Sequence, residues 1–161
     1  LVKENKDFRV LVLNGIQDLD SSVVSLLSQW SGEELHLNGL KVLAPTTAKA
    51  LSEWKGKILS LNGLTSIDAK TAKRLFKWSG EELHLNGLSR LDAKLAFGLS
   101  KWQGKRILIE GVRNLDVEAA QFLSQFGGEE IDLTCDSVQN EKAYQELIKF
   151  KGRFSCSYYN W

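Results

Sequence analysis

Histidine and glutamate are the residues of this chain best suited to chemistry. The chain has two histidines, His36 and His84, and each follows a glutamate by two residues, at Glu34 and Glu82. Imidazole nitrogens and carboxylate oxygens are common ligands of zinc, and the same groups serve as general acids and bases. The two Glu–His pairs therefore raise two hypotheses, a metal site and an acid–base site.

Both pairs belong to a repeat. They lie in the segment Glu-Glu-Leu-His-Leu-Asn-Gly-Leu, which occurs at residues 33–40 and again at 81–88. Related segments begin at residues 11, 35, 59, 83, 107 and 131, so successive copies are 24 residues apart with no insertion. A period in this range indicates stacked units, each of which buries its apolar face only against its neighbours.

This spacing argues against a metal site and against an active site. If the copies stack as adjacent strands, His36 and His84 lie two strands apart, roughly 10 Å, whereas zinc ligands lie about 2 Å from the metal. A pair formed by each histidine with its own glutamate fits better. The sequence has no nucleophile elbow, phosphate-binding loop or metal motif, and its Asn-Gly turns recur along the chain. We therefore predict no enzymatic activity, no catalytic residue, no metal and no cofactor.

Each unit predicts a strand, a turn and a short helix. The unit starts apolar–variable–apolar, which is strand periodicity, and Asn-Gly then predicts a turn with positive φ. The predicted helix starts are Asp20, Ala44, Asp68, Asp92, Asp116 and Asn140. Five of these six are good N-caps, and Pro45 compensates partly for Ala44. A left-handed glycine cap is predicted to end each helix, at Gly32, Gly56, Gly80, Gly104, Gly128 and Gly152.

Each predicted helix carries three apolar columns, spaced so that they lie on one face. The first column is mostly alanine, at Val24, Ala48, Ala72, Ala96 and Ala120. The second is leucine throughout, at Leu27, Leu51, Leu75, Leu99, Leu123 and Leu147. The third is aromatic, at Trp30, Trp54, Trp78, Trp102, Phe126 and Phe150. We assign all three columns to the core, although tryptophan also raises the hypothesis of stacking on a carbohydrate.

Over about residues 10–154 the pattern resembles bacterial leucine-rich repeat proteins. The resemblance implies an α/β solenoid with a parallel β-sheet on the concave face and short α-helices on the convex face. We expect residues 1–161 to form one such domain, with 1–9 as an N-terminal cap or truncated start and 131–161 as a C-terminal cap. The family also has a buried asparagine ladder. Here the asparagines directly follow the strand leucine, which favours a role only in the Asn-Gly turn, at Asn14, Asn38, Asn62 and Asn86.

The residues beside each central strand leucine are expected on the exposed side of the sheet, because strand side chains alternate. They vary between units while the buried columns do not. We predict that a ligand binds there, at Val12, Glu34, His36, Ile58, Ser60, Glu82, His84, Arg106, Leu108, Glu130 and Asp132. The predicted function is non-enzymatic recognition of a protein or other ligand. The alternatives are a structural spacer in a larger surface protein and a module that binds carbohydrate or cell wall.

A charged column precedes the strands and alternates in sign without exception. Its members are Arg9, Glu33, Lys57, Glu81, Lys105, Glu129 and Arg153. Parallel strands lie about 4.8 Å apart, so each charge is expected to face opposite charges in both neighbouring units. We interpret this column as a structural device that fixes the stacking.

Composition narrows the choice of partners. The chain has 21 basic and 20 acidic side chains, a formal charge of +1 and no basic stripe, so nucleic-acid binding is not expected. No apolar run approaches the roughly 20 residues needed to cross a bilayer. The chain has no methionine, which removal of a signal peptide or truncation would explain. We expect a secreted or cell-surface protein with a protein partner, and the sequence sets no oligomeric state.

The two cysteines, Cys135 and Cys156, lie in the last unit and the tail. In the register of the repeat, Cys156 matches the column of His36 and Cys135 the column of Gly39, too far apart to bridge. A slip of register in the tail would bring them together. A Cys135–Cys156 disulfide is therefore a candidate that depends on such a slip.

Overall fold

Strands and helices alternate along the chain in the computed structural model, which describes residues 9–134 and 140–157. The strands are β1 (Val10–Val12), β2 (Glu34–His36), β3 (Ile58–Ser60), β4 (Glu82–His84), β5 (Arg106–Leu108), β6 (Glu130–Thr134) and β7 (Arg153–Ser157). The helices are α1 (Ser21–Gln29), α2 (Pro45–Glu53), α3 (Ala69–Leu75), α4 (Ala93–Ser100), α5 (Val117–Leu123) and α6 (Glu141–Leu147). In the described ranges every strand pairs in parallel with the next, giving a seven-stranded sheet in chain order. The fold is therefore α/β, built from repeating strand–helix units.

The central strand residues stack in register from unit to unit. Leu35 pairs with Leu11 on one side and with Leu59 on the other. The row continues through Leu83, Ile107 and Ile131. From Leu35 onward these side chains are fully buried in the core, as the repeat predicted.

The last strand breaks the 24-residue register. Phe154, not residue 155, pairs with Ile131, so this step is one residue shorter than the others. Cys156 consequently pairs with Leu133 and not with Asp132, which corrects the predicted register. Cys135 lies outside the described residues, as do residues 1–8 of the predicted N-terminal cap, so the disulfide and that cap stay predictions.

The aromatic column forms a continuous stack through the core. Neighbouring ring centroids lie 5.7–6.0 Å apart from Trp30 to Phe150, with interplanar angles of at most 21°. Trp54, Trp78 and Trp102 are at most 1% exposed. Their assignment to the core is confirmed, and these three rings are not available to stack on a carbohydrate.

The asparagines form a ladder between units. Asn14 Oδ1 accepts a hydrogen bond from the backbone N–H of Asn38 at 3.1 Å, and Asn38 Oδ1 accepts one from Asn62 at 2.9 Å. Two further rungs run from Asn62 to Asn86 and from Asn86 to Glu110. The favoured prediction, that these side chains serve only their own turn, is wrong. Each one ties its unit to the next by satisfying a backbone donor that would otherwise be unpaired.

Helix starts agree with the sequence prediction. Asp68, for example, accepts hydrogen bonds from the backbone N–H groups of Lys70 and Thr71 at 3.0 Å each. Ala44 provides no side-chain cap, and Pro45 takes the first helical position after it. The predicted N-caps are therefore confirmed, and so is the absence of a side-chain cap at Ala44.

Glycine serves close packing in this chain. No described glycine has a positive φ, so the predicted left-handed helix caps and positive-φ turns are wrong. The chain leaves α2 at Trp54 in an extended conformation, with φ −64° and ψ 141°. A Cβ at Gly56 would overlap the Trp54 ring, and a Cβ at Gly63 would overlap the backbone carbonyl of Asn38 in the preceding unit. Glycine is required where a ring or a neighbouring backbone approaches this closely.

The alternating charges form separate groups, one of which joins Arg9, Glu33 and Lys57, with 3.9 Å between Arg9 Nη1 and Glu33 Oε2. Lys57 Nζ lies 3.0 Å from Glu33 Oε1, and Lys105 Nζ lies 2.6 Å from Glu81 Oε2. Arg153 pairs with Glu130 and not with its predicted partner in the column, because the last strand is shifted by one residue. The structural interpretation fits these contacts, although the chain of charges is not continuous.

Candidate recognition surface on the open sheet face

The strands present two rows of side chains on the side away from the helices. The flank row precedes the central residue and contains Val10, Glu34, Ile58, Glu82, Arg106 and Glu130. The centre row follows it and contains Val12, His36, Ser60, His84, Leu108 and Asp132. No helix or strand in residues 9–134 and 140–157 packs on these rows, which together we name the open face. The register thus brings all the predicted binding residues onto one surface.

The N-terminal half of the open face, from β1 to β3, is largely apolar. Val10 and Val12 are 44% and 57% exposed, and Ile58 is half-buried. Glu34 is the acid of this half, and its Oε2 lies 3.7 Å from Nε2 of His36. This half therefore offers aliphatic side chains beside one carboxylate.

Ser60 lies in the centre row but is withdrawn from solvent. Its side chain donates a hydrogen bond of 2.7 Å to Asn38 Oδ1, and the residue is 1% exposed. The same oxygen accepts the backbone N–H of Asn62 in the ladder. Ser60 thus contributes to the scaffold beneath the open face.

The C-terminal half of the open face, from β4 to β7, is organised around Arg106. Its Nη1 lies 3.2 Å from Glu82, its Nε lies 2.8 Å from Glu130, and its Nη2 lies 3.4 Å from Asp132. Arg153 approaches Glu130 as well, with 2.6 Å between Nη2 and Oε2. Only 7% of the Glu130 side chain and 12% of the Asp132 side chain are exposed. The acids and bases of this half therefore neutralise one another.

Burial and ion pairing move the pKa values of this network in opposite directions. The hydrogen bond from Arg153 lowers the pKa of Glu130, against the effect of its burial. Burial raises the pKa of Asp132, and the negative charge of Glu130 adds to this. Burial alone would lower the pKa of Arg106, but the carboxylates of Glu82 and Glu130 outweigh it and raise that pKa. The pKa values of the two buried carboxyls are therefore shifted in opposite directions from their usual values.

His84 is held neutral by its surroundings. Burial lowers the pKa of the imidazole below its usual 6.5, although the neighbouring Glu82 opposes this effect. The ring Nε2 lies 3.5 Å from Glu82 Oε2. Each histidine thus lies beside its own glutamate, as the sequence predicted, and the two histidines lie two strands apart.

Neither a metal centre nor a membrane-spanning helix is found among the described residues. No group of three or more His, Cys, Asp or Glu side chains in residues 9–134 and 140–157 could hold a metal ion. Within the same ranges no helix is long and apolar enough to cross a bilayer, since the longest, α1 and α2, have nine residues each.

A groove on the helix side is not indicated by the sequence analysis. It has a volume of about 640 Å³ and lies between α3, α4 and α5. The signal in the sequence is a comparison across units, because Gly98 occupies the column that holds Arg74 in the preceding unit and Phe122 in the next. A side chain missing from one unit leaves space between its neighbours.

Comparison with known proteins assigns no family to this chain. No protein-family model matches it, and no curated protein matches it either. The geometry of the open face is therefore the basis for assigning a function, and the resemblance to leucine-rich repeat proteins rests on the repeat itself.

Proposed function

We propose that the chain is a leucine-rich-repeat-type solenoid of about six units, with its sheet on the concave side and its helices on the convex side. The stacked strand leucines and the asparagine ladder support this, because each contact joins equivalent positions of successive units. The aromatic rings at the helix ends lie 5.7–6.0 Å apart, whereas adjacent strands lie about 4.8 Å apart. Units that are wider on the helix side would curve the sheet inward.

The proposed function is non-enzymatic recognition of a protein partner by the open face. One observation carries this proposal. The chain keeps its buried columns nearly uniform, and it places its variable strand residues in two rows that no described element covers. Most of these side chains lie outside the apolar core, so they can differ to match a partner without destabilising the scaffold.

We place the main contact on the N-terminal half of the open face. Association gains most from burying apolar surface, and Val10 and Val12 are the most exposed side chains of the two rows. On the C-terminal half, a partner would have to compete with ion pairs that Arg106 already makes, which is costly. The matching partner surface would be aliphatic, with a basic group placed to reach Glu34.

The two alternative functions differ in what the structure offers them. A carbohydrate-binding module needs exposed aromatic rings, and Trp54, Trp78 and Trp102 are buried in the stack, while the exposed rings of Phe97 and Tyr144 lie on helices and not on the open face. A structural spacer would make its contacts through the ends of the chain and would bind no partner on the open face. An experiment therefore has to distinguish recognition from the spacer function. A secreted or cell-surface location stays a prediction.

Affinity capture with matched variants tests the proposal. The open-face variant combines Val12→Ser, His36→Ala and Ile58→Ser. The control variant combines Leu26→Ser and Val42→Ser, at side chains that are 68% and 75% exposed and lie outside the open face. Thermal unfolding first establishes that both variants fold. The partner captured by the wild-type protein is then purified and its affinity for each variant is measured.

We expect the open-face variant to lose more than about tenfold in affinity, because it removes the apolar centre of the contact. The control variant should bind as the wild-type protein does. Equal affinity of the open-face variant and the wild-type protein would contradict the proposal and favour the spacer.

A further inference from the structure

We propose that the groove between α3, α4 and α5 binds an amphipathic organic anion, a hydrocarbon body that carries one carboxylate or similar group. The groove lies on the helix side, so this inference is independent of the function proposed for the open face. It depends on three observations: the space left at Gly98, an aromatic lining, and a rim of lysines.

Gly98 opens the space. A glycine inside a helix is destabilising relative to alanine, so we expect a structural reason for its position in α4. A Cβ at Gly98 would lie 3.0 Å from Cδ2 of Phe76, closer than carbon atoms normally approach. Among neighbouring helices, α3 and α4 also have the least extensive packing against each other. Gly98 therefore allows the Phe76 ring of α3 to lie close against α4, where both residues line the groove.

The lining of the groove is aromatic. Phe76 is buried, whereas Phe97 is 48% exposed although it lies on a helix of a well-packed scaffold. Phe97 and Phe122 pack edge to face, with ring centroids 5.2 Å apart and an interplanar angle of 74°. A volume of about 640 Å³ falls within the range of roughly 300–1,000 Å³ typical of small-molecule sites. The lining and the size fit a hydrocarbon body.

The rim of the groove is positively charged. Lys73, Lys77, Lys94 and Lys101 line it and are exposed, with Glu118 as the acid of the lining. None of the four lysines forms an ion pair with a residue in the described ranges. The ammonium of Lys101 lies 5.3 Å from the Phe97 ring centroid, which places a cation directly over the aromatic lining. Since the whole chain has a net charge of only +1, this concentration of unpaired cations is local and favours an anionic head group.

Isothermal titration calorimetry with dodecanoate, below its micelle concentration, tests the proposal on the full chain. Dodecyltrimethylammonium, which has the same chain length and the opposite charge, is the matched ligand. We expect dodecanoate to bind at one site and the cation to bind at least about tenfold more weakly. Amide NMR shifts should be confined to α3, α4 and α5, and added salt should weaken binding.

Equivalent positions in successive units supply matched variants. Lys94 lines the groove, whereas Lys70, at the same position one unit earlier, does not. Lys94→Gln should weaken dodecanoate binding about threefold or more, while Lys70→Gln should leave it unchanged. Ala93→Leu should block the groove and abolish binding without unfolding the protein, because Val117 shows that the repeat accepts a larger side chain at this position.

Three results would overturn the proposal. The first is equal affinity for dodecanoate and the cation, which would mark the groove as apolar surface only. The second is a set of NMR shifts on the open face. The third is an Ala93→Leu protein that melts as the wild-type protein does and still binds dodecanoate.

Discussion

The tripeptide Glu-Leu-His occurs twice, at residues 34–36 in β2 and at 82–84 in β4, and the two copies lie in different surroundings. In both, the leucine is fully buried and the histidine lies beside its own glutamate. The Glu34 side chain is 37% exposed, whereas that of Glu82 is 24% exposed and pairs with Arg106. Burial lowers the pKa of His84, in the copy next to β5.

This comparison shows how a repeated scaffold obtains different surfaces. The two Glu-Leu-His segments have the same sequence, so the segment itself cannot explain why the surroundings of the two copies differ. The difference comes from the residues on the following strand, Ile58 beside Glu34 and Arg106 beside Glu82. The N-terminal half of the open face is consequently apolar and available, and the C-terminal half is internally neutralised.

The two halves share one core, and Trp78 lies where they meet. Trp78→Ala should lower the free energy of unfolding by about 3–5 kcal/mol, because it removes a large buried ring that stacks on Trp54 and Trp102. Trp30→Ala, at the partly buried first ring, should cost less. Urea unfolding measures both changes. A Trp78→Ala protein as stable as wild type would refute the stacked core.

The halves should respond differently to loss of a charge. Arg106→Gln removes the partner that the buried Glu130 and Asp132 share. Glu130 keeps its pair with Arg153, whereas Asp132 loses its ion pair, and we expect a loss of about 2 kcal/mol. The loss is smaller than for a fully buried pair, because 35% of the Arg106 side chain is exposed. Glu34→Gln is the control in the other half and should stay within about 0.5 kcal/mol of wild type. Equal unfolding midpoints for the two variants would remove the distinction between the halves.

Two neighbouring helices, α2 and α3, differ in their starts. Asp68→Ala removes the cap of α3 and should cost about 1 kcal/mol, since two backbone N–H groups lose their acceptor. Ala44→Asp should add a cap to α2, the helix that lacks one, and raise stability. Thermal unfolding of both variants measures the effect. A neutral Asp68→Ala together with a destabilised Ala44→Asp would contradict the capping interpretation.

The smallest predicted effect on stability comes from protonation of His84. Since burial lowers its pKa in the folded chain, the unfolded chain binds more protons just below the usual value of 6.5. Stability should therefore fall as the pH decreases below 6.5 and should not depend on this group well above that pH. NMR titration of His36→Gln, which leaves His84 as the single histidine, measures the pKa directly. A His84 pKa at or above 6.5 would be inconsistent with burial of the ring.

Much of the scaffold could be predicted from the sequence, because it repeats. Six aligned copies reveal which columns are apolar, and this gave the strand register, the aromatic core and the N-caps such as Asp68. The predicted roles of Gly63 and Asn38 were wrong for a common reason. Each was explained within its own unit, whereas Gly63 is required by the approach of the Asn38 carbonyl from the preceding unit, and the Asn38 side chain bonds to the next unit.

The surfaces were predicted less completely than the core. Alternation placed the open-face residues correctly, but it could not show that Ser60 is withdrawn by its bond to Asn38 or that Arg106 gathers three acids. The groove escaped prediction because it arises from an absence. The repeat shows that Gly98 lacks the side chain that Arg74 and Phe122 carry at the same position, but the groove follows only from the packing of α3, α4 and α5.

The most direct test makes the same substitution in both copies of the tripeptide. His36→Ala and His84→Ala remove the same atoms from the same position of two units, and the affinity of each variant for the captured partner is measured with purified proteins. If the N-terminal half of the open face is the recognition surface, His36→Ala weakens binding several-fold and His84→Ala binds as the wild-type protein does. Equal losses, or a larger loss at His84, would contradict the division of the open face into a recognising half and a framework half.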